Sequence, residues 1–166
     1  MSRTSRTAMV RTIDAPTPAS NASSTATADP TGAPKRKTPS CAVRFKIATE
    51  PAEFDQIARL NYRTFVEEIP QHAPDPSAVL VDKFHAENTY VVGLTDDGWV
   101  VAMLAVRGGR PFSLDSKISR LDDHLPRGRR VCEIRLLAVE AAWRGTRVAF
   151  GLIAAGAEHC VAAGYD

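Results

Sequence analysis

No leucine and no aromatic residue occurs in the first 40 residues of this 166-residue chain. Ser, Thr, Ala and Pro fill 26 of those 40 positions. Such a stretch cannot bury enough apolar surface to offset the entropy of ordering its backbone, so residues 1–40 are expected to form a disordered leader. The fold is then expected from residues 41–166, enough for one core and too few for two domains. Cysteine is scarce too. Cys41, Cys132 and Cys160 show no C-x-x-C spacing, which argues against a disulfide framework or a zinc site and leaves no metal expected. Cys132 and Cys160 fall in apolar stretches, where a free thiol behaves as a small hydrophobe, a usage that suits a reducing, cytoplasmic setting. No run approaches the ~18 apolar residues of a membrane span. The leader is Arg- and Ser-rich and acid-poor, as transit peptides are. Its longest apolar run is only Ala8-Met9-Val10, so no signal peptide is read there. A large charge of one sign is also lacking. The net charge is +2, but the leader carries six basic and two acidic residues, which leaves the body at −2. That balance offers no basic footprint for a nucleic acid, and no nucleic-acid partner is expected.

The body carries strong periodic signals. Val43-Arg44-Phe45-Lys46-Ile47 alternates apolar and charged residues, the signature of a half-buried strand. Thr49-Glu50-Pro51 with Glu53 and Asp55 announces a helix whose cap is expected at Thr49. The helix is expected to run to about Glu68, where Pro70 ends it, with Phe54, Ile57, Ala58, Asn61, Tyr62 and Phe65 on one face. A short amphipathic helix is expected at Val79–His85. Two β-rich runs, Tyr90–Leu94 and Trp99–Val106, flank Asp96-Asp97-Gly98 and predict a hairpin. Residues 107–129 read as a loop with one short helix near Leu114–Leu121. Val131–Val139 reads as a further strand. Val148–Ala163 reads as a helix with Ala149, Leu152, Ile153, Gly156 and Cys160 on one face and Gly164 at its C-terminal cap.

The segment from Glu133 to Ala149 carries the chemistry. A strand ends, a turn containing Arg144, Gly145, Thr146 and Arg147 follows, and a helix opens. Unpaired N–H groups and the dipole at a helix N-terminus favour anions, and the two arginines add cations. An ordinary strand-to-helix turn is the alternative to a phosphate cradle here.

The element order and this segment resemble the GNAT superfamily of N-acyltransferases, whose Q/R-x-x-G-x-G/A signature follows a strand and opens the central helix. Arg144, Gly145, Thr146, Arg147, Val148 and Ala149 stand at its positions, with Arg147 where the middle glycine falls. Within the superfamily, Asn61–Glu68 resembles the R-x-x-V-F-V-E-E segment of N-acyl amino acid synthases and acyl-homoserine-lactone synthases. Val81-Asp82-Lys83-Phe84-His85 resembles their D-x-F-D segment. Glu133–Val139 resembles their E-x-S-R-F-A-V strand, with Arg135 at the Ser position and Leu136 at the Arg position. The resemblance spans roughly residues 43–166.

The resemblance implies an α+β fold with a mixed sheet, and transfer of an acyl group from acyl-CoA or an acyl carrier protein to a small amine by direct attack. No tightly bound cofactor is implied. The donor would lie along Leu137, Ala138 and Val139, with its phosphates at Arg144–Ala149. A backbone N–H of that strand would stabilise the oxyanion. Candidates for the base are Glu133, Glu67, Glu68, His72 and His85, and Glu133 is preferred because it lies in the lining strand. Its alternative is an ion pair with a neighbouring arginine. Arg63, Phe65, Asp82 and Phe84 are the acceptor-side candidates, and the planar fork of Arg63 suits a carboxylate. Tyr62 and Trp143 are expected to pack.

In the superfamily the domain continues beyond the signature helix. Gly164-Tyr165-Asp166 is accordingly read as the opening of a further strand, and the chain as the donor-binding part of a domain completed by C-terminal strands or a partner. A catalytically inactive acyl-CoA-binding module and a truncated, non-functional product are the alternatives.

Overall fold

The computed structural model describes residues 11–13 and 42–166. The rest of the expected leader, and Cys41, lie outside the described residues. Within that leader, Arg11–Ile13 forms a short strand, β1, which pairs antiparallel with β2, Val43–Ile47. After β2 come helix α1, Pro51–Tyr62, and a π-helical segment, Arg63–Glu68. The hairpin strands are β3, Thr89–Thr95, and β4, Val100–Arg107. Strand β5, Glu133–Val139, and helix α2, Val148–Ala162, complete the order.

The strands form one sheet in the order β1-β2-β3-β4-β5. Every pairing is antiparallel, so these strands do not make the mixed sheet expected from the resemblance. Alternation, interrupted where Val101 and Ala102 share a face, sends the side chains of β3 and β4 to opposite faces, and both faces are covered. On one face Tyr90, Val92, Leu94, Val100, Met103 and Ala105 pack with Ile57 and Leu60 of α1. On the other, Val91, Val101, Leu104 and Val106 pack with Leu152 and Val148 of α2. That is why these two strands read as nearly unbroken apolar runs. Each fully buried Leu or Ile contributes about 1.5–3 kcal/mol by leaving water. Gly156 lets α2 approach the sheet closely, since a Cβ there would stand 3.0 Å from Leu104 Cδ2.

Several local expectations change. The cap of α1 is Glu50, not Thr49. The Glu53 carboxylate accepts the N–H groups of Thr49 at 2.8 Å and Glu50 at 3.1 Å. Burial pushes the Glu53 pKa up, but the Lys46 ammonium and these two N–H groups outweigh it, and the acid stands below its ordinary value. The expected single helix changes to π-helical hydrogen bonding at Arg63, where Ile69 N–H reaches Thr64 O at 2.9 Å. The expected helix at Val79–His85 is absent: this stretch is extended and then turns. It is tied to α1 by Leu80 N–H to Ala58 O at 2.9 Å and to β5 through Asp82. The expected helix near Leu114–Leu121 is two short 3-10 turns, Ser113–Ser116 and Leu121–Asp123. On α2, Ile153 is exposed rather than buried, along with Phe150 and Val161.

Tyr62 and Trp143 pack in the interior as expected. Cys132 and Cys160 face each other with sulfurs 3.6 Å apart, and burial together with the neighbouring thiol pushes the Cys132 pKa to about 11. Gly164 takes φ +78° beyond the end of α2, and Tyr165 N–H returns to Cys160 O at 3.0 Å. Asp166 N–H then donates to Arg130 O at 2.9 Å, which lays the last residues beside the approach to β5. No described helix is long and apolar enough to cross a membrane.

Candidate functional site

β5 is not a regular strand. Met103 pairs with Ala138 and Ala105 with Arg135, so Leu136 and Leu137 together face Leu104 across a bulge. Leu136 has φ +54°, a left-handed conformation that a leucine adopts only under constraint from its surroundings. The bulge re-aims the end of β5, which then passes into the turn at Ala141–Trp143 and on to α2.

An open cleft of about 730 Å³ lies at that end. Leu137, Ala138 and Val139 form one wall, and Thr64 and Glu68 of the π-helical segment with Ile69 just after it form another. Ala141 and Arg144 close it toward α2. The widened π turn thus sits directly on the cleft, a place where such turns recur. Arg144 spans the gap between the walls: its Nε donates to Val139 O at 2.8 Å and its Nη2 meets Glu68 Oε2 at 2.5 Å. Beside it, Arg63 pairs with Glu140.

The turn into α2 has the conformation its sequence suggests. Gly145 takes φ +77°, open to solvent where a Cβ would meet nothing. Thr146 Oγ1 donates to Trp143 O at 2.7 Å and accepts Val148 N–H at 3.2 Å. Arg147 is the N-cap of α2 and its side chain is exposed. The remaining N–H groups of the first turn have no partner within the helix, as at any helix N-terminus.

The acceptor-side candidates gather elsewhere. Asp82, buried, accepts from Arg135 at 3.0 Å and from Asn88 Nδ2 at 2.6 Å. The Phe84 ring has Arg107 over it at 3.7 Å and Arg135 at 4.9 Å. Arg107 is itself buried and paired with Glu87 at 2.7 Å. Glu133 accepts Ser113 N–H at 2.9 Å on one oxygen, and its other oxygen, Oε2, is buried without a partner. Nε and Nη1 of Arg135 are orphaned in the same way. Phe65 packs against the α1-side core.

The structure therefore separates the candidates. Leu137, Ala138, Val139 and Arg144 line the cleft, and Gly145–Ala149 follow directly in chain. Arg63 stands at its edge, tied to Glu140. Glu133 does not line it, because it lies at the other end of β5, about 15 Å from Ala138 at ~3.3 Å per residue. Of the other base candidates, Glu68 is held by Arg144, Glu67 and His72 are exposed, and His85 Nδ1 lies 3.2 Å from Tyr90 Oη. Sequence reasoning missed Thr64, whose buried Oγ1 has no partner. Its signal was a polar residue on the inward face of an otherwise apolar helix. Among the described residues no cluster of His, Cys, Asp or Glu could hold a metal ion.

Residues 56–166 match the family model described as N-acyl amino acid synthase FeeM. No curated protein matches the chain. The crystal structure of TofI, solved in a ternary complex with an inhibitor and MTA, superposes with a TM-score of 0.55 at 21% identity, covering 73% of this chain and 67% of that one. A tetramutant of the BH1408 protein from Bacillus halodurans superposes with a TM-score of 0.51 at 19% identity, covering 74% of this chain and 78% of that one. At these identities the two structures speak to the fold, which is that of GNAT-like N-acyltransferases.

Proposed function

Since the chain belongs to the N-acyl amino acid synthase (FeeM) family, we propose that it transfers an acyl group from an acyl thioester to an amine by direct attack. The observation that carries this reading is the cleft between the π-helical segment and the bulged end of β5, with Arg144, three residues before the N-cap of α2, in its lining. A thioester laid along Leu137–Val139 would lie against the outer edge of β5, the last strand of the described sheet. An N–H there can hold the oxyanion of the tetrahedral intermediate. The amine attacks the carbonyl carbon, the C–S bond breaks, and the thiol leaves with the proton the nitrogen gives up. The donor's phosphate end would reach Arg144–Ala149. With Arg147 as N-cap, a carrier-protein donor, which presents a single phosphopantetheine phosphate, suits this turn as acyl-CoA does.

In this reading Glu133 is the base. Its unpaired Oε2 is the acceptor at the end of a chain of several waters, which the distance along β5 requires because it exceeds the reach of one. Glu133→Gln keeps the contact with Ser113 N–H and removes the charge. It is expected to lower kcat about 100-fold or more with donor affinity unchanged. Equal losses in kcat and affinity, or none, would remove Glu133 from this role.

Donor binding is tested by thermal unfolding of the full chain with acetyl-CoA, long-chain acyl-CoA and acyl carrier protein. A donor that binds only the native state must raise the apparent Tm, by an amount that grows with its concentration. No rise with any of the three donors contradicts the proposed donor site.

A further inference from the structure

A second, smaller cavity of about 110 Å³ lies between α1 and the Leu80–His85 segment, and shares no lining residue with the cleft. Phe54, His85 and Tyr90 form an aromatic wall, with Phe54 meeting the other two rings edge-on at 5.4 and 6.1 Å. The polar groups it offers are mainly acceptors. Asn61 is 1% exposed, its Nδ2 faces Leu80 O at 3.5 Å, and its Oδ1 has no partner. Asp55 stands exposed at the rim. Asp82 also lines the cavity, but it already holds Arg135 and Asn88. Asn61 and Asp55 are thus the groups left for a ligand. His85 Nδ1 is occupied by Tyr90 Oη at 3.2 Å.

A buried amide oxygen without a donor is destabilising unless a ligand brings one. An unpaired amide oxygen, a rim carboxylate and an aromatic wall together suit a small primary ammonium group. About 4.5 Å further along the helix axis, at ~1.5 Å per residue, Thr64 holds a second unpartnered oxygen and lines the large cleft. Asn61 thus offers an unsatisfied acceptor to the small cavity, and Thr64 offers one to the cleft. An ammonium held in the cavity stays protonated and is no nucleophile, so it can only anchor.

We propose that this cavity binds the protonated end of a short aliphatic diamine, whose second, neutral nitrogen passes Thr64 into the cleft as the acyl acceptor. The role of the second nitrogen rests on the transfer reading above, and the binding does not. In the transfer step the free nitrogen forms the C–N bond as the C–S bond breaks, and the departing thiolate is protonated by the proton the amine loses.

The test is titration calorimetry of the full chain with 1,4-diaminobutane and its uncharged counterpart 1,4-butanediol. The diamine is expected to bind saturably and about tenfold or more tighter than the diol. Asn61→Leu should weaken diamine binding about tenfold, and Asp55→Asn about threefold. The unliganded Asn61→Leu protein should match the parent in Tm to within a few degrees, because removing an orphaned acceptor offsets the loss of the long contact to Leu80 O. Diamine binding no tighter than the diol, or unchanged by both substitutions, overturns the proposal. So does a Tm loss of several degrees in Asn61→Leu, which would make Asn61 a structural residue. Thiol release from an acyl thioester is scored separately. Diamine binding without it contradicts the transfer reading and the acceptor role, and leaves the ammonium site standing.

Discussion

Replacing Arg144 with alanine is expected to weaken acyl-CoA binding about ten- to a hundredfold, the worth of one or two charge-assisted hydrogen bonds. Arg144 is the side chain that both lines the cleft and precedes the N-terminus of α2. Its guanidinium already joins Val139 O and Glu68, so it is held in place before a donor arrives. A phosphate would compete with Glu68 for it. Glu68→Gln is therefore the control: it frees the guanidinium and should leave donor affinity unchanged or higher. Calorimetry with a non-hydrolysable acyl-CoA analogue reads both variants. Unchanged affinity in Arg144→Ala would mean that the start of α2 is not the phosphate site.

Leu152→Ala is expected to cost about 2–5 kcal/mol of stability, as other buried leucine truncations do. Leu152 is completely buried, in the cluster that docks α2 on Val91, Val101, Leu104 and Val106. The neighbouring Gly156 brings the helix so near to Leu104 that little repacking can fill the gap. Urea unfolding followed by circular dichroism measures the loss. A loss below 1 kcal/mol would mean that α2 is held by something other than this contact. Because α2 carries the proposed phosphate site at its first turn, a loosened helix should also weaken donor binding.

The parts of the fold that were readable in the sequence are those with one dominant signal. β3 and β4 are apolar runs flanking Asp97-Gly98, and the hairpin forms with Gly98 at φ +81°. The alternation of Val43–Ile47 gives β2, and Gly164, expected as the cap of α2, instead makes the left-handed turn just past its cap at Ala163. The unreadable parts depend on contacts between distant segments. Val79–His85 has an amphipathic pattern, yet its backbone bonds to Ala58 and its Asp82 to Arg135 take it out of a helix. The left-handed Leu136 has no local signature, because its strain is imposed by pairing across the bulge. At the site, the turn at Arg144–Ala149 was legible from charge and glycine placement. The partners of its arginine were not, since Glu68 lies 76 positions earlier in the chain. Thr64 and Asn61 were hidden for the same reason: only packing reveals that their oxygens are buried without partners.

Acyl transfer at the cleft has one decisive assay. The full chain is incubated with a long-chain acyl thioester, as acyl-CoA and as acyl carrier protein, and a panel of amines that includes amino acids and short diamines. Free thiol and N-acyl amide are followed together. The account predicts that thiol and amide appear in equal amounts and only when donor and amine are both present. Thiol release without amide, or neither product with any donor and amine, would contradict it.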